Sequence, residues 1–290
     1  MTVKPTISVI IPHYRDLGGL RLCLEALARQ TYPAAAFDII VADNNSPEGA
    51  TAVSAVIDGR ARLVVVEEKG AGPARNGAVA VATGDVLAFI DSDCVAEQDW
   101  LSAGVVGLEA YDFVGGRVRV LLENPPLMTP AEAFERVFAF DFKTYIERKG
   151  FTGSGNLFCS RRLFEDVGGF KTGVSEDVEW SRRAVAAGYR LGYAPLAVVG
   201  HPARRSWDEL WLKWRRVNAE TFGLMRSQPL GRVKWLLRST GLLPSALIHT
   251  PKVLFSEELN APGQRLAALG VLYRLRAWRL WDALRLLVGG

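Results

Sequence analysis

Gly84-Asp85-Val86-Leu87-Ala88-Phe89-Ile90-Asp91-Ser92-Asp93-Cys94 is the stretch that decides the fold. Val86–Ile90 is an unbroken apolar run, too short for a helix, with Gly84 before it and acids after it. That pattern predicts a fully buried strand. Two carboxylates, Asp91 and Asp93, stand where the strand ends. Ligands of open α/β sheets gather outside the carboxyl ends of the strands. Two like charges are costly to bury there without a cation. Asp91-Ser92-Asp93 therefore predicts a site for a hard divalent metal with a phosphorylated ligand. An Asp-x-Asp taken alone is more often a turn with two solvated aspartates, so the rest of the chain has to decide.

Working outward, the first half repeats a strand–loop–helix rhythm. Apolar β-branched runs at 7–11, 39–42 and 63–66 precede the central strand. Helical spacing covers 17–28, 50–57 and 73–82, the last with Pro73 in its first turn, where the missing N–H does no harm. Such alternation predicts an α/β domain with a mostly parallel sheet flanked by helices. Parallel strands end on a common edge. Pro12-His13-Tyr14-Arg15-Asp16 and Asp43-Asn44-Asn45-Ser46 should therefore lie beside Asp91-Ser92-Asp93. Between strands three and four, Gly70-Ala71-Gly72-Pro73-Ala74-Arg75 opens a helix whose N-terminus can approach a phosphate. It matches neither the Walker pattern nor G-x-G-x-x-G. Arg75 could give a diphosphate a fixed cationic fork, or could equally form a surface ion pair.

The second half is less regular. Helices are expected over 100–110 and 131–146. In Gly153-Ser154-Gly155-Asn156 the glycines would let a ligand come close to the backbone. Ser175-Glu176-Asp177 starts a helix through Trp180, and its acids either complement the helix dipole or supply a general base. Strands at 191–193 and 197–199 lead to Gly200-His201-Pro202, where a histidine at a strand end can be a metal ligand.

The composition, 49% hydrophobic and 23% charged over 290 residues, fits a folded globular chain. The net charge of +4 conceals an asymmetry. Residues 201–290 carry 15 Lys and Arg against 6 Asp and Glu, leaving 20 against 25 before them. Six of the eight Trp also follow residue 200. Ser206-Trp207-Asp208-Glu209 is a capping box that opens an amphipathic helix. Beyond it, Pro229, Pro244, Pro251 and Pro262 are expected to cut the chain into short helical pieces. The last piece, 265–288, mixes Leu, Trp278 and Trp281 with five arginines. Trp with Arg suits a membrane interface, and also a lid over the catalytic body or an oligomer contact. The three cysteines lack metal or disulfide spacing and fit a reducing cytosol. Neither a leader peptide nor a spanning helix is expected.

Taken in order, 9–14, 41–46, 72–77, 84–93, 153–158 and 175–177 resemble the family 2 glycosyltransferases of the GT-A fold, over about residues 6 to 202. The resemblance implies a nucleoside-diphosphate sugar donor, most often a UDP-sugar, and inversion at the anomeric carbon. By that likeness Pro12 and Tyr14 line the base, and Asp43, with Asn45 beside it, accepts a hydrogen bond from uracil. Arg75 meets the diphosphate, and Asp91 with Ser92 reaches the ribose side. Asp93 and His201 hold Mg²⁺ or Mn²⁺. Asp177 is the base, paired with Glu176. Gly155, Asn156 and Trp180 border the acceptor and sugar pocket. The Gln-x-x-Arg-Trp element of processive synthases is missing.

The expected arrangement is a GT-A (Rossmann-like) catalytic domain over 1–202 with a C-terminal α-helical extension over 203–290. The expected activity is inverting, metal-dependent sugar transfer to a hydroxyl acceptor. That acceptor is expected to be lipid-linked, or a glycolipid or polysaccharide intermediate, at the cytosolic membrane surface, with no nucleic acid involved. A nucleotidyltransferase of related fold would carry a Gly-x-Gly-x-x-Arg loop after strand one, where Pro12–Asp16 stands instead. A non-catalytic sugar- or nucleic-acid-binding protein is the third alternative, and Asp91, Asp93 and Asp177 speak against it.

Overall fold

A computed structural model describes residues 4–289. Strands and helices follow in the order β1 (Ile7–His13), α1 (Leu17–Leu27), β2 (Phe37–Asp43), α2 (Gly49–Ile57), β3 (Arg62–Val65), α3 (Ala71–Ala80), β4 (Val86–Ile90) and β5 (Val95–Ala96). Next come α4 (Trp100–Ala110), β6 (Phe113–Leu121), α5 (Pro130–Phe138), α6 (Phe142–Lys149), β7 (Asn156–Ser160), α7 (Arg161–Val167), α8 (Glu176–Ala186) and β8 (Leu191–Pro202). The remainder is helical: α9 (Trp207–Arg226), α10 (Gly231–Thr240), α11 (Leu242–Leu254) and α12 (Pro262–Gly289). These elements form two compact units. One holds the described residues up to Arg119, with Phe140–Thr172 and Glu176–His201. The other holds Val120–Ala139, Gly173–Ser175 and the described residues from Pro202.

The first unit is built on an eight-stranded sheet in the order β3-β2-β1-β4-β7-β6-β8-β5. Strand β1 lies in parallel register between β2 and β4, with Ile10 opposite both Ile40 and Phe89. Strand β7 runs against β4 and β6, and β5 runs against β8. Alternation along β1 sends Ile7, Val9 and Ile11 into one core layer with Leu20, Leu24 and Val53. Ile10 goes to the opposite layer with Ala74, Phe89 and Trp180. Each such Leu or Ile, fully buried, stabilises the fold by about 1.5–3 kcal/mol. Both faces are filled, so β1, β2 and β4 read as continuous apolar runs and their ends are left to carry the polar chemistry.

The fold class is the expected one, with three local differences. Strand β6 is invisible to pattern reading because Gly115-Gly116 interrupts it. A Cβ on Gly116 would stand 2.2 Å from the Ala197 carbonyl oxygen, so the strand needs the gap. The single helix expected over 131–146 breaks at Phe140, where φ is 58°. Pro251 does not end a helix. It sits inside α11 at an exposed position.

The second unit is helical. Thr129 and Glu132 cap α5 with reciprocal side-chain-to-backbone bonds. Ala133 and Phe134 of α5 pack with Leu210, Leu272 and Leu275. Glu135, 1% exposed, accepts from Lys213 Nζ at 2.7 Å and from Arg204 Nη1 at 3.1 Å. Burial pushes its carboxyl up, but Lys213 and Arg204 pull it further down, below the usual range. The helical unit resumes at Pro202 and also takes in Val120–Ala139. Helix α5 joins the C-terminal unit because its apolar face and Glu135 find partners there. Helix α12 buries Ala268, Leu272 and Leu275, and Arg279 donates to Asn218, which donates to Asp282. Those side chains serve the unit's interior.

Candidate active site

The carboxyl end of β4 delivers Asp91 and Asp93. Oxygens of both, with Cys94 Sγ, lie within 4.8 Å of one another. His201, near the end of β8, brings Nε2 to 3.5 Å from Asp93 Oδ2. The Phe140 ring covers that imidazole with centroids 4.6 Å apart. Burial pushes the Asp93 carboxyl up and neighbouring Asp91 adds to the rise, while His201 pulls it partly back. The Cys94 thiol is buried, and burial with the two aspartates raises it well above its usual value. A neutral buried thiol is a poor donor for Mg²⁺ or Mn²⁺. The two carboxylates are good donors, and a hard cation would relieve the repulsion that keeps them costly. The donor set fits a divalent cation on Asp91 and Asp93, with His201 within reach.

Arg75 on α3 is 4% exposed. Its Nη2 donates to Asp91 Oδ1 at 2.6 Å and its Nη1 to Glu176 Oε1 at 3.2 Å. Its Nε has no partner. The guanidinium therefore bridges residues far apart in sequence, 101 positions between Arg75 and Glu176. Each of its two terminal nitrogens already holds a carboxylate, so any diphosphate contact would be shared with these ion pairs. Asp177 follows Glu176 in the first turn of α8, and its Oδ1 accepts from the Val178 N–H at 2.8 Å. Asp177 thus begins one residue from a side chain tied to Asp91.

The ends of β1 and β2 form a second cluster. Asp43, 1% exposed, accepts from Ser46 Oγ at 2.5 Å and from the Ser46 N–H at 3.1 Å. Ser46 Oγ in turn accepts from the Arg15 N–H. This fixes the loop in which Tyr14 stands 52% exposed and Asn45, with φ 57°, points outward. Pro12 is buried in the strand. The residue that pattern reading left unassigned is His13. It is 1% exposed, and neither ring nitrogen has a hydrogen-bond partner. Burial lowers its pKa against the upward pull of Asp43, Asp16 and Glu48. Its signal was available in sequence, because the parallel register sets His13 opposite Asp43.

Of the expected pocket residues, only Gly155 lies against the carboxylates. A Cβ there would come within 2.5 Å of Asp91 Oδ2, so the glycine makes room for Asp91. Ser92 is half-buried between the two aspartates. Asn156 is buried and spent: its Oδ1 accepts from Trp100 Nε1, and its Nδ2 donates to the carbonyls of Arg117 and Ala197. Trp180 is also fully buried, among Phe113, Phe164 and Phe170, with Nε1 on the Gly168 carbonyl. Asn156 and Trp180 are thus corrected from pocket wall to core. Trp180 sits one turn into α8, and Asn156, the first residue of β7, is held by its own hydrogen bonds.

The architecture is shared with known enzymes. The family model for glycosyl transferase family 2 matches residues 8–168. Glycosyltransferase AglE of Haloferax volcanii is 32% identical over 292 aligned residues, covering 94% of this chain and 92% of that protein. The probable glycosyltransferase YdaM of Bacillus subtilis is 26% identical over 75% of this chain and 56% of its own length. Among solved structures, the mannosyltransferase PcManGT from Pyrobaculum calidifontis, in complex with GDP-Man and Mn²⁺, superposes with a TM-score of 0.62. It is 20% identical, over 97% of this chain and 86% of that one. With the family model matching more than half its length and a glycosyltransferase 32% identical over 94% of it, the chain belongs to glycosyl transferase family 2 and is a glycosyltransferase.

Proposed function

We propose that this enzyme moves a sugar from a nucleoside-diphosphate sugar, a UDP-sugar, to an acceptor hydroxyl with inversion at the anomeric carbon. The observation that carries the reading is the Arg75 bridge, which ties the strand-end Asp91 to Glu176, the neighbour of Asp177. On this reading Asp177 takes the acceptor hydroxyl's proton as the oxygen attacks the anomeric carbon. Asp93 and His201, with Asp91 behind them, would hold Mg²⁺ or Mn²⁺, which when bound offsets charge on the leaving diphosphate. Asp43 and Tyr14 border the nucleobase end. The acceptor is a lipid-linked intermediate or a glycolipid on the cytosolic face of a membrane, a reading supported by the basic, Trp-rich C-terminal residues.

Asp177→Asn tests the base. Sugar transfer should fall by roughly a hundredfold or more while donor affinity stays near wild type. Turnover retained in that variant would refute the assignment. The anomeric configuration of the product, read by NMR, tests inversion. Because the Pyrobaculum structure holds GDP-Man, UDP- and GDP-sugars should be compared side by side; preference for GDP would overturn the UDP assignment alone.

A further inference from the structure

Helix α11 is built the wrong way out for a water-facing helix. Ala246 and Val253 are buried on its inner side. Its outer side carries Leu243, Leu247, Ile248, Leu254 and Phe255, which are 45%, 67%, 74%, 42% and 81% exposed. Pro244 and Pro251 are exposed on the same arc. These are positions where an amphipathic surface helix carries charge. Neighbouring α10 is fixed inward by Trp235, whose Nε1 donates to the Ala283 carbonyl at 3.0 Å. It exposes Val233, Leu236 and Leu237 between Arg232, Lys234 and Arg238. Among the described residues, nine of the 24 exposed large apolar side chains fall between Leu230 and Phe255, under a tenth of the chain. Such clustering marks an interaction surface rather than scattered exposure.

The charges choose the partner. From Thr221 to Ser256 there are five Lys or Arg and no Asp or Glu. A second copy docking through a two-fold axis would set these cations against their own copies. A lipid surface with anionic headgroups satisfies both features, taking the apolar side chains into the acyl boundary and the cations at the phosphates. Spanning is excluded by length: α11 has 13 residues, about 20 Å of helix, against about 30 Å of hydrocarbon. No described helix is long and apolar enough to cross.

We propose that the outer sides of α10 and α11, consecutive helices joined through Gly241, lie in the surface of an anionic lipid bilayer. This surface is the membrane element of this enzyme. This rests on the membrane-surface part of the reading above and is independent of the assigned base and metal ligands.

Flotation of the full chain with phosphatidylcholine vesicles, with and without about a third phosphatidylglycerol, tests it. The wild type should float with the anionic vesicles only. Lys234→Gln and Arg238→Gln should each weaken binding about fivefold. The double substitution Leu247→Glu/Ile248→Glu should weaken it at least about tenfold at an unchanged melting temperature, because both side chains already face solvent. Donor hydrolysis in vesicle-free buffer should be unaltered in every variant, which separates failure of this proposal from failure of the catalytic reading. Absence of flotation by the wild type would overturn the proposal, as would binding that survives the double substitution. A dimer that only the double substitution dissociates, with no flotation, would assign the face to a second copy instead.

Discussion

Replacing Arg75 with Met separates two roles that sequence alone leaves joined. A guanidinium that only meets a bound diphosphate contributes nothing to the ligand-free protein. The structure shows it bridging Asp91 and Glu176 without any ligand. Charge-assisted hydrogen bonds contribute about 1.5–3 kcal/mol each. The two carboxylates are 35% and 25% exposed, so water screens part of this. Loss of both bonds should cost a net ~2–4 kcal/mol, because the variant also sheds a buried charge whose Nε has no partner. At about 2–4 °C per kcal/mol for a protein near this size, the melting transition of the first unit should fall by roughly 4–16 °C. Calorimetry without donor or metal reads it. Arg75→Lys should restore less than half, since a point charge cannot serve two carboxylates as a fork does. A shift under about 2 °C in Arg75→Met, together with lost donor affinity, would refute the bridging role.

Three further outcomes follow from the packing. Glu135→Gln should destabilise the helical unit by about 3–5 kcal/mol, because it removes the buried carboxylate that Lys213 and Arg204 share, and a lowered melting transition reports it. Glu135 has a depressed folded pKa, so its stabilisation is complete above the unfolded carboxylate value. It is lost as pH falls through the lower folded value, and wild type and Glu135→Gln should converge in stability below about pH 4. Gly155→Ala should displace the Asp91 carboxylate and weaken metal-dependent donor binding, measured by calorimetric titration, by about tenfold, with CD unchanged. Trp180→Phe should lower stability by about 1–3 kcal/mol in denaturant titration and leave KM for the donor unaltered, since the indole lies wholly in the core.

Strands β1, β2 and β4 are legible because both of their faces are buried, and their polar ends then stand out against unbroken apolar runs. Strand β6 is illegible because close packing against Ala197 demanded glycine where a strand pattern wants branched residues. Asp93 and His201 each stand at a strand end, and the family resemblance paired them. Arg75 could be recognised as a cation in a glycine-rich turn, but not matched to its anions, since one of them lies 101 residues away. Trp180 misled because the helix start faces the site, whereas one turn further along the same helix is core. In the C-terminal residues, charge and Trp content pointed to α12. Only packing reveals that α12 turns Arg279 and Asp282 inward while α11 turns its leucines out.

The claim that the Asp91–Asp93 edge is the sugar-transfer site rests most directly on one assay: nucleoside diphosphate release from a sugar nucleotide, in Mn²⁺ and in EDTA, for the wild type and Asp93→Asn. The account predicts metal-dependent release by the wild type, with release lost in EDTA and lost in Asp93→Asn. Undiminished release in EDTA or in the variant, or release of pyrophosphate in its place, would contradict it.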